Sequence, residues 1–231
     1  DTAQFDAGLQ ELDGRALFAA LVEAGRNIGG IFEGCLDMDR AGLLRHSMGG
    51  GNVGNVLAEN PGFRCGFALS PVLPRSGHAA RVSVPLGIAA GAGDPTTPWE
   101  TCALPYYQAL TAYRGLKFFY LLDGDCDHLN VAGLFLSGTA SNEVFQRVLS
   151  VALGFFGRFL GGEASGLEQA LGPAALQEPR LLSLSLELES PEPWASAPVR
   201  IGKTARISVA AEPGAAGLLV AARPGALPTR F

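Results

Sequence analysis

The chain has 231 residues, of which 48% are hydrophobic and 17% are charged, and its formal net charge is −5. This apolar content is enough for one sizeable core and excludes a disordered chain, which would need low hydrophobicity and a high net charge. The acidic balance and the scattered Lys and Arg residues also argue against binding to nucleic acid or to an anionic membrane surface, because both need a basic surface.

Strand-like and helix-like patterns alternate through the first part of the chain. Residues 1–14 are polar, and we expect them to be irregular. The patterns predict helices over 15–26, 98–113 and 142–160, a helix that ends near residue 60, and buried strands over 41–44, 65–70, 82–91 and 116–122. Such alternation predicts an α/β fold, a mostly parallel sheet covered by helices. The apolar residues near 144–160 are interrupted by charged and polar side chains, so we expect no membrane span: Gln146, Arg147 and Arg158.

The sequence changes character after Gly162. Leucines at 182, 184, 186 and 188 alternate with Ser or Glu, which is the period-two pattern of a half-buried strand. The patterns of 205–212 and 217–222 favour two further strands, joined through Pro213-Gly214. We therefore predict a small β-rich extension over 172–231, and the alternative is a loosely packed tail.

A serine stands between the predicted strand 41–44 and the helix after it, in the sequence His46-Ser47-Met48-Gly49-Gly50. A sharp strand-to-helix turn can expose a serine hydroxyl above the sheet as a nucleophile, and it needs small neighbours, which the two glycines supply. The N–H of Met48 would then face a developing oxyanion. The usual motif has glycine two positions before the serine, whereas this chain has Arg45, which we expect to crowd the turn. The alternative is a glycine-rich turn with an incidental serine.

A serine nucleophile needs a base, and the chain contains three histidines. His46 adjoins the serine and points the wrong way for this role, and His78 lies in a polar segment typical of a surface loop. His128 follows the predicted strand 116–122, and loops at the carboxyl ends of parallel strands carry the ligands of such sheets. His128 is therefore favoured as the base by elimination and by position.

The acid that orients this base is predicted to be Asp94, which also follows a predicted strand. The chain order Ser47, Asp94, His128 is that of the α/β-hydrolases. The less favoured alternatives are three carboxylates that share the loop of the histidine and that we expect to be solvated: Asp123, Asp125 and Asp127.

Several segments, in this order, resemble the bacterial cutinase-like polyester hydrolases and their dienelactone-hydrolase relatives. The resemblance covers roughly 1–162 and is carried by the segments 36–40, 46–51, 94–98, 103–107, 123–128 and 155–160. It implies an α/β-hydrolase-type sheet, N-terminally truncated, with the small β-rich C-terminal extension. The implied domains are a partial catalytic core over 1–162 and the extension over 172–231.

The same resemblance implies a serine esterase that cleaves carboxylic esters with Ser47, His128 and Asp94, with Met48 in the oxyanion hole. It implies small-molecule or polymeric ester substrates, including polyester and cutin-like ones, and neither a cofactor nor a metal ion. Pro71-Val72-Leu73 stands where the family usually has a tryptophan. The alternative is a non-catalytic or degraded hydrolase fold that acts as a binding or oligomerisation module.

The four cysteines match no zinc motif, because no two of them lie two to four residues apart. The resemblance implies the pairs Cys35–Cys65 and Cys102–Cys126, and with them a secreted or periplasmic bacterial protein. The alternative is four buried free thiols.

The family has several strands before the region where this chain begins, and one of their loops supplies a second oxyanion donor. Without those strands, we expect the first strand of the sheet to have an exposed edge, which proteins usually cover. The candidates for covering it are an N-terminal segment, the extension 172–231 and a second copy of the chain.

Overall fold

A mostly parallel sheet covered by helices forms the α/β fold of the chain in a computed structural model. The structure describes residues 7–59, 62–113, 115–133, 139–163, 165–172, 175, 180–188 and 205–210. The strands are β1 Gly42–His46, β2 Cys65–Leu69, β3 Leu86–Gly91, β4 Lys117–Leu122, β5 Leu181–Leu188 and β6 Ala205–Ala210. The helices are α1 Ala7–Arg26, α2 Met48–Glu59, α3 Ala103–Gln108, α4 Thr139–Phe156 and α5 Ser165–Leu171. The predicted α/β class is confirmed.

The six strands follow one another in the sheet in chain order. β1 to β4 are parallel, whereas β5 and β6 are antiparallel to their neighbours. The carboxyl ends of the four parallel strands therefore share one edge of the sheet. The loops after β1, β3 and β4 meet at this edge, which is where an open α/β sheet has its ligand sites.

Two apolar layers, one on each face of the sheet, explain why β2, and β4 after Lys117, are continuous apolar runs. Every residue of both strands is buried, and successive side chains point to opposite faces. One layer joins alternate residues of the two strands to α4: Phe67, Phe118, Tyr120, Val151 and Phe155. The other joins the intervening residues to α2: Ala68, Phe119, Leu121, Val53 and Leu57.

The alternating leucines of the C-terminal segment lie in β5, which pairs with β4 and so continues the same sheet. Leu184 and Leu186 are buried in the layer that contains α4, and Leu186 pairs with Phe118. The division into domains over 1–162 and 172–231 stays a prediction. The predicted strand over 217–222 lies outside the described residues.

Two predicted boundaries, the start of α1 and the start of β3, are wrong for local reasons. Residues 1–14 were expected to be irregular, but α1 begins at Ala7, because Ala, Leu, Gln and Glu at positions 7–12 favour a helix. The predicted strand 82–91 begins only at Leu86, since residue 85 is a proline without an N–H to donate.

The predicted helix over 98–113 is reduced to α3, only six residues long. The carboxylate of Asp94 binds the N–H groups of Thr96 and Thr97, and the carbonyl of Pro98 accepts those of Thr101 and Cys102 in a turn. Residues 94–102 therefore form a loop and a turn, and α3 begins only at Ala103.

Strand β1 lies at one edge of the sheet and, among the described residues, pairs only with β2. β5 and β6 lie at the opposite edge, so the described part of the extension does not cover β1, contrary to one of the three candidates. Leu44 of β1 is 44% exposed. A cavity of about 520 Å³ lies between α1 and β1, and its lining includes Leu17, Phe18, Leu21, Leu36, Leu43 and Phe63.

One helical segment in the described part of the chain, Asn142–Gly161, is long and apolar enough to cross a membrane by length and composition. The expectation that polar residues exclude such a segment was therefore too strict. Val148, Val151 and Phe155 of this segment are buried in the layer on the sheet, and the core helix of a globular protein passes the same length and composition test.

Candidate functional site

Ser47 occupies the sharp turn between β1 and α2. Its φ of 58° lies in the left-handed region, which is unusual for a residue other than glycine. Two backbone hydrogen bonds hold the turn against the neighbouring strand: the N–H of Ser47 donates to the carbonyl of Leu69 at 2.9 Å, and its carbonyl accepts the N–H of Val72 at 3.2 Å. The strained backbone of Ser47 is thus held at both its N–H and its carbonyl group.

Arg45 does not prevent this turn, contrary to the expected crowding. The side chain of Arg45 lies along α2 at Gly49, where an added Cβ would be only 3.1 Å from the Cβ of Arg45. Because Gly49 has no side chain, the arginine fits beside the first turn of the helix.

The predicted serine, histidine and acid side chains form one hydrogen-bonded chain. The hydroxyl of Ser47 donates to His128 Nε2 at 2.8 Å. His128 Nδ1–H donates to Asp94 Oδ2 at 2.7 Å. The side chain of Asp94 is fully buried and that of His128 is 11% exposed, so these bonds are shielded from water. A hydroxyl placed in this way can lose its proton to the imidazole as it attacks an electrophile.

The carboxylate of Asp94 is held by its own loop. Oδ1 accepts the N–H groups of Thr96 and Thr97 at 2.8 and 2.9 Å, and Oδ2 lies 2.8 Å from the hydroxyl of Thr97. Burial would raise the pKa of Asp94, but the hydrogen bonds from Thr97 and His128 outweigh burial and hold this pKa below its ordinary value. Asp94 is therefore the charged partner of His128.

The three alternative acids bind other groups. Oδ1 of Asp127 accepts the N–H groups of Leu129 and Asn130, at 2.9 and 2.8 Å. Asp123 and Asp125 pair with Arg180. The imidazole of His128 is therefore oriented by Asp94 and not by a carboxylate of its own loop.

His46 has a role that reasoning from the sequence missed. Its Nε2–H donates to the backbone carbonyl of His128 at 2.7 Å, and the centroids of the two imidazole rings are 4.5 Å apart. Burial lowers the pKa of His46 below its ordinary value, although the hydrogen bond to His128 opposes this shift. No sequence signal indicates this bond, because it joins residues 82 positions apart. His78 is half-buried outside the site, and its Nδ1 lies 3.4 Å from the carbonyl of Ser76.

All four cysteines are free thiols in the structure. Cys65 and Cys126 are buried, whereas Cys35 is exposed, so the alternative of four buried thiols does not hold. Burial raises the pKa of the Cys65 thiol to about 12, which makes it unreactive at neutral pH. The pairs Cys35–Cys65 and Cys102–Cys126 are not formed here and stay a prediction.

Met48 is the first residue of α2, so its N–H is one of those that a helix leaves without an intrahelical acceptor. It stands directly after Ser47, where it could donate to an anion. Within the described residues, no group of three or more His, Cys, Asp or Glu side chains is arranged to hold a metal ion.

The sequence matches no protein-family model, and no curated protein is significantly similar to it. The fold and the geometry of the site are therefore the basis on which a function can be argued.

Proposed function

We propose that this protein is a serine hydrolase of the α/β-hydrolase type that cleaves carboxylic esters. The observation that carries the proposal is the continuous chain from Ser47 Oγ through His128 to Asp94, with distances of 2.8 and 2.7 Å. The left-handed turn at Ser47, between a parallel strand and a helix, supports it further, because this is the backbone that exposes a nucleophilic serine.

In the proposed reaction, His128 Nε2 takes the proton of Ser47 as Oγ attacks the ester carbonyl carbon. The N–H of Met48 donates to the oxyanion of the tetrahedral intermediate. His128 then gives the proton to the departing alkoxide, which leaves an acyl group on Ser47. Water attacks this acyl group by the same route, and the charge of Asp94 stabilises the imidazolium in both steps.

The substrate we propose is an ester with an apolar acyl or alcohol part, a description that includes polyester and cutin-like polymers. Two exposed leucines next to the site support it. Leu129 follows His128 and is 38% exposed, and Leu73, which is 49% exposed, follows the residue whose N–H binds the Ser47 carbonyl. A secreted or periplasmic location is part of the same proposal and depends on the resemblance alone.

The test is the hydrolysis of a short-chain p-nitrophenyl ester by the purified protein and two serine variants. Ser47→Ala removes the nucleophile, and we expect kcat to fall by about 10³-fold or more. Ser76→Ala, in an exposed loop, is the matched control and should keep the activity of the unaltered protein. If Ser47→Ala hydrolysed the ester as fast as the unaltered protein, the proposal would be wrong.

A second candidate is a non-catalytic hydrolase fold that binds or oligomerises, and the edge of β1 favours it. This strand pairs on one side among the described residues, and Leu44 on it is 44% exposed. An edge of this kind is a template for pairing with another chain. This candidate predicts a folded protein without ester turnover, together with a mass in solution that exceeds that of one chain.

A further inference from the structure

Arg180, the residue before β5, ties the loop that carries His128 to the C-terminal part of the chain. The N–H of Asp123, the first residue of this loop, donates to the carbonyl of Arg180 at 2.9 Å. The guanidinium Nη1 of Arg180 lies 3.2 Å from Asp123 Oδ2 and 2.9 Å from Asp125 Oδ2. The backbone and the side chain of one residue therefore hold the beginning of the loop.

The guanidinium also reaches α4, where its Nη2 lies 3.2 Å from Glu143 Oε2. The side chains of Arg180 and Asp123 are 19% and 22% exposed, whereas those of Asp125 and Glu143 are 73% and 56% exposed. The pair with Asp123 is the least exposed of the three, so water screens it least, whereas the contact to Asp125 is the shortest. An arginine suits the position because its planar fork offers several N–H groups in fixed directions.

Other contacts hold the second half of the loop. The carbonyl of Cys126 accepts the N–H of Gly93, which belongs to the loop of Asp94, at 3.1 Å. The N–H of Asp127 donates to Asn130 Oδ1 at 2.8 Å. His128 thus follows directly after a loop whose first half is fixed by Arg180 and whose second half is fixed by these bonds.

The sheet is irregular where Arg180 approaches. Leu121 pairs with Ser183 but Leu122 pairs with Leu181, so β5 has one extra residue at this point. Such a bulge bends its strand and redirects side chains, and bulges are frequent beside functional sites. This bulge lies next to the contact between Asp123 and Arg180, and it therefore influences the direction in which Arg180 faces the loop.

We propose that Arg180 is a positioning residue for His128, which makes the start of β5 part of the site. The kinetic consequence of this inference rests on the proposed function. If the beginning of the loop shifts, His128 Nε2 moves away from Ser47 Oγ, and a small displacement of a catalytic group is enough to slow a reaction.

The first test compares steady-state hydrolysis of a short-chain p-nitrophenyl ester by three variants. Arg180→Met keeps an apolar stem and removes the fork, and we expect kcat to fall about tenfold at unchanged KM. Arg180→Lys keeps the charge but not the fork, so its kcat should lie between that of Arg180→Met and that of the unaltered protein. The control Arg81→Met breaks an ion pair of similar kind, Arg81–Glu59 at 2.8 Å, and should keep the full kcat.

A second test does not depend on turnover. The proton of His128 Nδ1–H in its bond to Asp94 gives a low-field NMR resonance, and we expect Arg180→Met to broaden it through exchange with water. Arg180→Lys should recover part of the signal, and Arg81→Met all of it. A protein with the resonance but without Ser47-dependent turnover would refute the proposed function alone, and the resonance would still test Arg180.

Arg180→Met with the kcat and the resonance of the unaltered protein would overturn the inference. If Arg180→Met fails to fold, Arg180→Lys decides by the same measurements. A reduced kcat at unchanged KM then supports the positioning role, and an unchanged kcat refutes it.

Discussion

At the residue scale, the two histidines next to Ser47 are joined, and only one of them faces the serine hydroxyl. His128 accepts from Ser47 Oγ at 2.8 Å, and His46 donates to the carbonyl of His128 at 2.7 Å. Since His46 precedes Ser47 in the chain, this bond links the nucleophile turn, through the His46 side chain, to the backbone of the histidine loop. The His46 side chain therefore helps to set the distance between the two catalytic residues.

This link predicts that His46→Ala lowers kcat for a p-nitrophenyl ester by about tenfold, the equivalent of one hydrogen bond of about 1.4 kcal/mol. His46→Gln keeps an N–H donor and should recover most of the loss. His78→Gln is the matched control, because His78 is a half-buried histidine outside the site. An activity of His46→Ala equal to that of the unaltered protein would refute the link.

The lowered pKa of Asp94 predicts a pH dependence of stability. An unfolded carboxyl group takes up its proton near 3.8 and the folded Asp94 only at a lower pH, so between these values the unfolded chain binds more protons. The contribution of Asp94 to the free energy of unfolding is therefore complete above pH 3.8 and is lost as the pH falls through the lower, folded value. Denaturant unfolding of Asp94→Asn should show a stability deficit that is constant at neutral pH and shrinks in acid, whereas a deficit independent of pH would contradict this account.

At the scale of elements, α2 lies against the chain that follows β2. A Cβ at Gly51 would lie 2.6 Å from Val72 Cγ2 and 2.7 Å from the Val72 carbonyl oxygen. The N–H of Val72 binds the carbonyl of Ser47, so this packing also supports the nucleophile turn. Close approach of the two backbones is therefore a requirement of the site.

Gly51→Ala should cost about 1–3 kcal/mol of unfolding free energy, because overpacking outweighs the better helix propensity of alanine. The control is Gly157→Ala, where an added Cβ meets no atom within 4 Å. Denaturant unfolding of the two variants measures the difference in their unfolding free energies. Equal stability of the two would show that the contact at Gly51 can relax.

Sequence patterns located two of the fully buried strands closely. The strands predicted over 65–70 and 116–122 are β2 and β4 to within one residue, because both are buried on both faces. The short α3 was not predicted, because the turn before it is defined by backbone hydrogen bonds to the Pro98 carbonyl and not by a periodic pattern. Helix α5 was not predicted either, and it buries Leu167 and Ala170 in the layer that contains α4.

The candidate site could likewise be predicted from the sequence only in part. Ser47, Asp94 and His128 follow the parallel strands β1, β3 and β4, and this is enough to bring them to one edge of the sheet. The contacts of His46 and Arg180 connect residues 82 and 55 positions apart, and no local pattern encodes such pairs.

At the scale of the whole molecule, β5 shares one apolar layer with β4 and α4, and Leu184 is only 4% exposed. Leu184→Ala should therefore lower the stability of the complete chain by about 2–5 kcal/mol. The matched control Leu153→Ala, at a leucine of α4 that is 62% exposed, should cost far less. Thermal unfolding should remain a single transition in both variants, and two separate transitions would show that 172–231 is an independent domain.

The central claim is that Ser47 is an activated nucleophile, and the most direct test is labelling by a fluorophosphonate followed by peptide mass mapping. We expect the folded protein to form one adduct, in which the phosphorus is bonded to Ser47 Oγ and fluoride has left. The Ser47→Ala variant and the unfolded protein should form none. A folded protein that remains unlabelled, or that is labelled at another residue, would contradict the claim.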